Sequence, residues 1–289
     1  MNSITSKIKG LHRFFSSRWQ TLHLDYPVEL TPRFQPARGM GFPSMNQTIE
    51  RNRIQIEAHV GMLLKYQNDL QNIRPRELET NALLPGWNNG FLPGLDMAAL
   101  FAFVAEYKPR RYMEVGSGNS TLVAAAAKAQ HAPQTEIISI DPYPRAEIDQ
   151  LVDRVIRRPF EKVDPSLLRE LERGDMLFID NSHRVLPNSD ATVFFLEWLT
   201  QLAPGVIVQI HDVYLPWDYP ADMCKRGYSE QYMLALALLS NPDRYQTMFP
   251  AYWVSEQKAL AESVASIWQH PNTRDVERHG GSYWLVIGD

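Results

Sequence analysis

Four short apolar runs, Arg111–Val115, Glu136–Ile140, Asp175–Ile179 and Val206–Ile210, each close on a glycine or a polar residue at their carboxyl end. Helical patterns separate them: Met97–Tyr107, Thr121–Ala129, Ala146–Val152, Pro165–Glu172, Asp190–Leu202 and Ser229–Leu239. Apolar strands that alternate with helices bury both faces, and this predicts a doubly wound α/β sheet of parallel strands. Arg154–Arg158 adds a weaker strand. Tyr245–Val254 and Ser282–Ile287 add two closing strands with no strongly apolar helix between them, so an antiparallel edge is expected. The count is then seven strands, mostly parallel.

Ahead of this alternation lies a different kind of chain. Lys7, Lys9, Arg13 and Arg18 mix with Ile8, Leu11, Phe14, Phe15 and Trp19, which reads as an amphipathic helix. It lacks the continuous apolar core of a secretory signal, and no later run is long enough to span a bilayer. A soluble, cytoplasmic protein without stable membrane insertion is the expectation. Pro27, Pro32, Pro36 and Pro43 make an extended connection, Thr48–Ile73 reads as one long helix, and Asn72–Gly94 is an irregular loop rich in glycine and proline. Residues 1–94 are therefore expected as an N-terminal helical extension packed on a body of residues 95–289.

The totals exclude several classes. With 289 residues and a formal net charge of −4, the chain has no general electrostatic attraction to nucleic acid. Its single cysteine, Cys224, allows no internal disulfide and no cysteine metal site. Self-association is left open.

In an open α/β sheet, ligands bind beyond the carboxyl ends of the strands. The residues there are Glu114 with the turn Gly116-Ser117-Gly118-Asn119-Ser120-Thr121, then Asp141, Asp180, His211 and Asp212. Two glycines let the backbone turn tightly and approach a ligand, and the following helix start offers unpaired N–H groups. Thr121 stands where a dinucleotide fingerprint would have its third glycine. Asp141 ends the next strand, where a carboxylate accepts two hydrogen bonds from ribose hydroxyls; the plainer alternative is a turn-former before Pro142.

These residues, Glu114-Val-Gly-Ser-Gly-Asn-Ser-Thr121 with Ile140-Asp141, Phe178-Ile-Asp180 and the closing strand pair, resemble class I S-adenosylmethionine-dependent methyltransferases from about Leu95 to the end. The resemblance implies a Rossmann-like seven-stranded sheet with an antiparallel strand beside the fifth, and S-adenosylmethionine as cofactor. It places Glu114, Gly116, Ser117, Gly118, Ser120, Thr121 and Asp180 with Asp141 on the cofactor, and Phe160-Glu161 near its adenine. A bacterial branch of the family carries Asp-x-x-His and His-Asp at strand ends, matched here by Asp180-Asn-Ser-His183 and His211-Asp212. Related small-molecule O-methyltransferases hold a divalent metal at these positions, which would make Asp180, His211 and Asp212 its ligands. Histidine in place of a carboxylate either weakens a magnesium reading or points to a transition metal.

On the catalytic side, His211 is the first candidate base and His183 the second, with Asp212 orienting. The loop Tyr214-Leu-Pro-Trp217-Asp218-Tyr219-Pro220 would wall the acceptor pocket, with Asp218 touching a polar or cationic acceptor. The expected activity is methyl transfer to an O or N atom of a small molecule. The alternatives are an NAD(P)-dependent oxidoreductase and a non-catalytic methyltransferase-like binding protein.

Overall fold

The computed structural model describes residues 14–16, 20–39, 41–144 and 147–289. Two compact units emerge, Met1–Thr31 and Pro32–Asp289. Most of the expected amphipathic N-terminal helix lies outside the described residues. The boundary falls at residue 31 rather than 94, because residues 43–73 bury their own apolar stripe: Met45, Ile49, Ile56, Val60, Leu63 and Leu70 join the same core as the sheet.

The second unit begins with α1 (Pro43–Glu50), α2 (Arg53–Leu63) and α3 (Gln67–Asn72). The single helix expected over Thr48–Ile73 is thus broken, at Arg51–Asn52 and again at the tight turn Leu64–Tyr66. Helix α4 (Gly94–Tyr107) is buried from Gly94 to Ala105, and Phe103 packs edge-on against Trp284 at 4.9 Å and Phe249 at 5.4 Å. A helix apolar all round belongs inside a layer. Then follow β1 (Arg111–Val115), α5 (Asn119–His131), β2 (Glu136–Ile140), β3 (Arg154–Ile156), β4 (Met176–Ile179) and α6 (Asp190–Val193), the last running on through a wider π turn to Trp198. The final elements are β5 (Ile207–His211), α7 (Ala221–Lys225), α8 (Glu230–Ser240), β6 (Tyr245–Pro250), α9 (Ala251–Glu256), α10 (Lys258–Ser263) and β7 (Ser282–Ile287).

Among the described residues the strands form one seven-stranded sheet in the order β3-β2-β1-β4-β5-β7-β6. The first five are mutually parallel; β7 inserts antiparallel between β5 and β6, with His211 opposite Ser282. The closing strands form the antiparallel pair expected at one edge, with β7 inserted beside β5, as the family resemblance implies. Two expectations fail. Residues 147–152 hold no helix, and the strand from Tyr245 stops at Pro250, where the chain turns into α9.

Strand order reverses between β1 and β4, and that switch point opens a crevice at the carboxyl edge. Gly116 makes it close: at φ +82° it stands in left-handed backbone space, and a Cβ there would lie 2.0 Å from the Asp180 carbonyl oxygen.

Candidate active site

A cavity of about 290 Å³ occupies this crevice, lined by Gly116, Ser117, Asp141, Phe160, Glu161 and Asp180. The turn is tied to the second strand. Asp141 Oδ2 accepts the Ser117 N–H at 2.8 Å and its Oδ1 accepts the Tyr143 N–H at 2.7 Å, while the Ser117 and Ser139 hydroxyls meet at 2.7 Å. Each Asp141 oxygen keeps a lone pair for a ligand. Asn181 also lines the cavity; its Oδ1 accepts the His183 N–H, and its buried Nδ2 has no partner among the described residues. Asp190 fastens the Asn181–His183 turn by accepting the Ser182 N–H at 2.7 Å and the Ser182 hydroxyl at 2.5 Å.

A narrower pocket continues past Gly118, Asn119 and Ser120 to Asp180 and His211, under Phe91 and Leu92. Phe91 and Leu92 are the residues of the irregular 72–94 loop that reach this pocket. Trp87 is instead core, packed on Trp268 at 5.8 Å with its Nε1–H donating to the Leu70 carbonyl.

Glu114 and Thr121 line neither cavity. Both are fully buried behind the turn, where Glu114 accepts hydrogen bonds from Thr121 and, at 3.0 Å, from Ser120, while Thr121 Oγ1 accepts the Gly118 N–H at 3.0 Å. They brace the turn rather than face a ligand. Burial pushes the Glu114 pKa up to about 7, against the hydrogen bonds that favour its charge.

Beyond the crevice, the ends of β4 and β5 converge on a charge cluster. His183 Nε2 lies 3.3 Å from Asp180 and 3.4 Å from Asp212, and its Nδ1 meets Glu230 Oε1 at 2.5 Å. His211 Nδ1 lies 3.6 Å from Asp212 and 3.7 Å from Asp180, with Nε2 3.7 Å from Asp96. Glu230, in the first turn of α8, and Asp96, in the first turn of α4, are members that the sequence reading missed. Asp96 in turn accepts the Gly281 N–H at 2.7 Å and the Ser282 hydroxyl at 2.6 Å. His183 and Asp212 both adopt left-handed backbone, at φ 62° and 54°, a strain that non-glycine residues carry at functional sites.

Burial opposes charge on both imidazoles, and the carboxylates outweigh it. Asp212, Asp180 and Asp96 raise His211 to about 9, and Glu230, Asp180 and Asp212 hold His183 well above an ordinary histidine. Burial would raise Asp180, yet contact with the two histidines keeps it well below the usual carboxylate range. The surrounding carboxylates thus favour the charged form of both imidazoles. The carboxylates are also what reach open space: the Asp180 and Asp212 side chains are 18% and 17% exposed, against 7% for His183 and 5% for His211.

The same arrangement fits a divalent metal poorly. His183 Nε2 stands between the two carboxylates that would be its ligands, and among the described residues no group of three or more His, Cys, Asp or Glu is arranged to hold an ion. Asp218 does not face an acceptor either. Its Oδ2 accepts the Arg33 and Phe34 N–H groups at 2.8 and 2.9 Å, and its Oδ1 accepts the Tyr232 hydroxyl at 2.9 Å. It staples the proline-rich strap onto the loop after β5. Gly41 and Phe42 close the same seam: a Cβ on Gly41 would strike the Pro216 carbonyl, which accepts the Phe42 N–H at 2.7 Å. Cys224 is buried, with its thiol on the Tyr219 carbonyl at 3.2 Å.

Residues 113–213, which hold the glycine turn, Asp141, Asp180, His183, His211 and Asp212, match a family model described as a methyltransferase domain. Among curated relatives, an uncharacterized protein of Archaeoglobus fulgidus is 36% identical over 93 residues, which are 30% of this chain and 42% of that protein. The chain thus spans less than half the length of that relative. Among solved structures, the chain is similar to the SAH-bound Podospora anserina methyltransferase PaMTH1, at 15% identity over 79% of this chain and 88% of that one, TM-score 0.44. It is also similar to the plantazolicin methyltransferase BpumL in complex with SAH, at 11% identity over 85% and 99%, TM-score 0.42. A third is the mycinamycin-pathway methyltransferase MycE in complex with Mg, SAH and mycinamycin VI, at 16% identity over 64% and 47%, TM-score 0.38. No helix among the described residues is long and apolar enough to cross a membrane.

Proposed function

We propose that this chain transfers the methyl group of S-adenosylmethionine to an oxygen or nitrogen of a small-molecule acceptor. The observation that carries the reading is the lining of the β1/β4 crevice. A carboxylate with free lone pairs (Asp141), a buried amide donor without a partner (Asn181 Nδ2) and an aromatic wall (Phe160) meet there, as an adenosine group requires. Bound S-adenosylmethionine supplies a sulfonium methyl group open to in-line displacement. Asp141 takes the ribose hydroxyls, Phe160 and Glu161 flank the adenine, and the Gly116, Ser117, Gly118 and Ser120 turn receives the methionine end. Glu114 and Thr121 position that turn from behind.

Asp180 belongs to both regions, since it lines the crevice and contacts both histidines. Asp212 faces the acceptor, orients its nucleophilic atom and takes up the proton released as the methyl group transfers and S-adenosylhomocysteine leaves, while His183 and His211 fix the Asp180 and Asp212 carboxylates. Calorimetric titration with S-adenosylhomocysteine tests the assignment. Removing a charged hydrogen-bond acceptor is worth about 1.5–3 kcal/mol, so Asp141→Ala is expected to weaken binding by about 10- to 100-fold. Unchanged affinity would rule out Asp141 as the ribose ligand.

A further inference from the structure

Past Gly118, Asn119 and Ser120, where the methionine end of the cofactor would lie, the structure leaves about 20 Å³, against about 290 Å³ in the crevice beside it. That is room for about one water molecule and far too little for an amino-acid tail. Part of the wall of this narrow pocket must therefore yield when the ligand enters. Most of that wall is fixed. The glycine turn is tied to Asp141, Glu114 and Thr121, and Leu92, Phe178 and His211 are buried. Phe91 is the exception, since it lines the pocket and is still 53% exposed.

The chain around Phe91 is a short turn between fixed ends. On one side Trp87 is buried, with its backbone N–H donating to the Arg74 carbonyl at 2.9 Å, and Asn88 Nδ2 donates to the Asp275 carbonyl at 3.1 Å. On the other side the Gly94 N–H donates to the Glu277 carbonyl at 2.7 Å, and Leu92 is packed in the core. One side chain closes the tip between them: Asn89 Oδ1 accepts the Phe91 and Leu92 N–H groups at 3.0 and 2.9 Å. Gly90, just before Phe91, stands at φ +78° with nothing within 4 Å of where a Cβ would lie. A glycine in open space turns without collision, and a ring left half in water gains free energy by covering a ligand.

We propose that Phe91 is the gate of the methionine end. Its ring swings out, pivoting at Gly90, to admit the aminocarboxypropyl tail, then closes over that tail and keeps water from the passage that leads to Asp180 and His211. The proposal rests on the S-adenosylmethionine reading for the identity of the tail. It demands a difference between ligands. 5′-Methylthioadenosine keeps the nucleoside and the sulfur but has no tail, so it fills the crevice without engaging the gate.

Dissociation of S-adenosylhomocysteine and of 5′-methylthioadenosine from the full chain, followed by surface plasmon resonance, tests this. Covering half of a phenylalanine ring is worth a factor of about 3 to 10. Phe91→Ala is therefore expected to release S-adenosylhomocysteine about 3- to 10-fold faster than wild type, with release of 5′-methylthioadenosine unchanged and Phe91→Leu falling between. In a second experiment Phe91→Cys is labelled with a maleimide, and the wild-type chain gives the background of the buried Cys224. Saturating S-adenosylhomocysteine is expected to slow labelling at least about tenfold, and 5′-methylthioadenosine to leave it unchanged. Equal acceleration of both ligands in Phe91→Ala, unchanged release of S-adenosylhomocysteine, or labelling indifferent to it would overturn the gate while wild-type binding leaves the cofactor reading intact. A wild-type chain that binds no S-adenosylhomocysteine would overturn both.

Discussion

Replacing Glu114 by glutamine should change how stability depends on pH more than it changes stability at any one pH. In the folded chain this carboxyl is fully buried and its pKa is raised to about 7, whereas its unfolded value is the ordinary 4.5. A raised acid pKa means the folded state holds the proton more tightly. Its contribution is therefore fully present below about pH 4.5 and is lost as pH rises through about 7. The gap of about 2.5 pKa units corresponds to about 3 kcal/mol, of which about 2.5 falls between about pH 5 and about pH 8.

Glutamine has the same shape and no charge to desolvate. The Ser120, Thr121 and Tyr112 hydroxyls around it rotate to suit either a donor or an acceptor. Urea unfolding of wild type and Glu114→Gln across this range isolates the effect, because every other titrating group cancels in the difference between the two chains. The expected result is a wild-type advantage that shrinks by about 2–3 kcal/mol from acid to alkaline pH. A difference that stays flat across the range would refute the claim that Glu114 is buried and desolvated behind the turn.

Other perturbations probe the neighbouring contacts. Glu230→Gln removes one of three carboxylates around His183; with Asp180 and Asp212 still in place, a loss of about 2 kcal/mol is expected in chemical denaturation, and a loss within error would show that the buried pair does not form. Gly116→Ala places a methyl group against the Asp180 carbonyl in left-handed backbone and is expected to destabilise the fold by about 2 kcal/mol or more by the same assay. Wild-type stability in that variant would mean the β1/β4 crevice is wider than the structure shows. Because His183 stands between Asp180 and Asp212, magnesium or a chelator is expected to leave the melting temperature unchanged, and a rise of several degrees with metal would contradict that placement.

Strand cores and their polar ends were legible in the chain because both signals are local. Arg111–Val115, Glu136–Ile140 and Ser282–Ile287 match their observed bounds, and Gly116, Ser117, Asp141 and Asp180 do meet at one edge. What escaped depends on contacts between distant segments. Glu230 and Asp96 look like ordinary acids in the first turn of a helix, and only the packing of α8 and α4 against the ends of β4 and β5 reveals them as partners of His183 and His211. Asp218 looked free for a ligand because its partners, the Arg33 and Phe34 amides, come from a strap far earlier in the chain. The upward pull on both histidines was hidden for the same reason, since it comes from the carboxylates that surround each ring. The segment 147–152, with Ile148, Leu151 and Val152 at helical spacing, folds instead into turns ahead of β3.

The account stands most directly on which cofactor enters the β1/β4 crevice. Calorimetric titration of the full chain with S-adenosylhomocysteine, and separately with a nicotinamide dinucleotide, decides it. One saturable site for S-adenosylhomocysteine in the micromolar range, weakened by Asp141→Ala, with no comparable binding of the dinucleotide, is the expected result. Tight binding of the dinucleotide without binding of S-adenosylhomocysteine would contradict it.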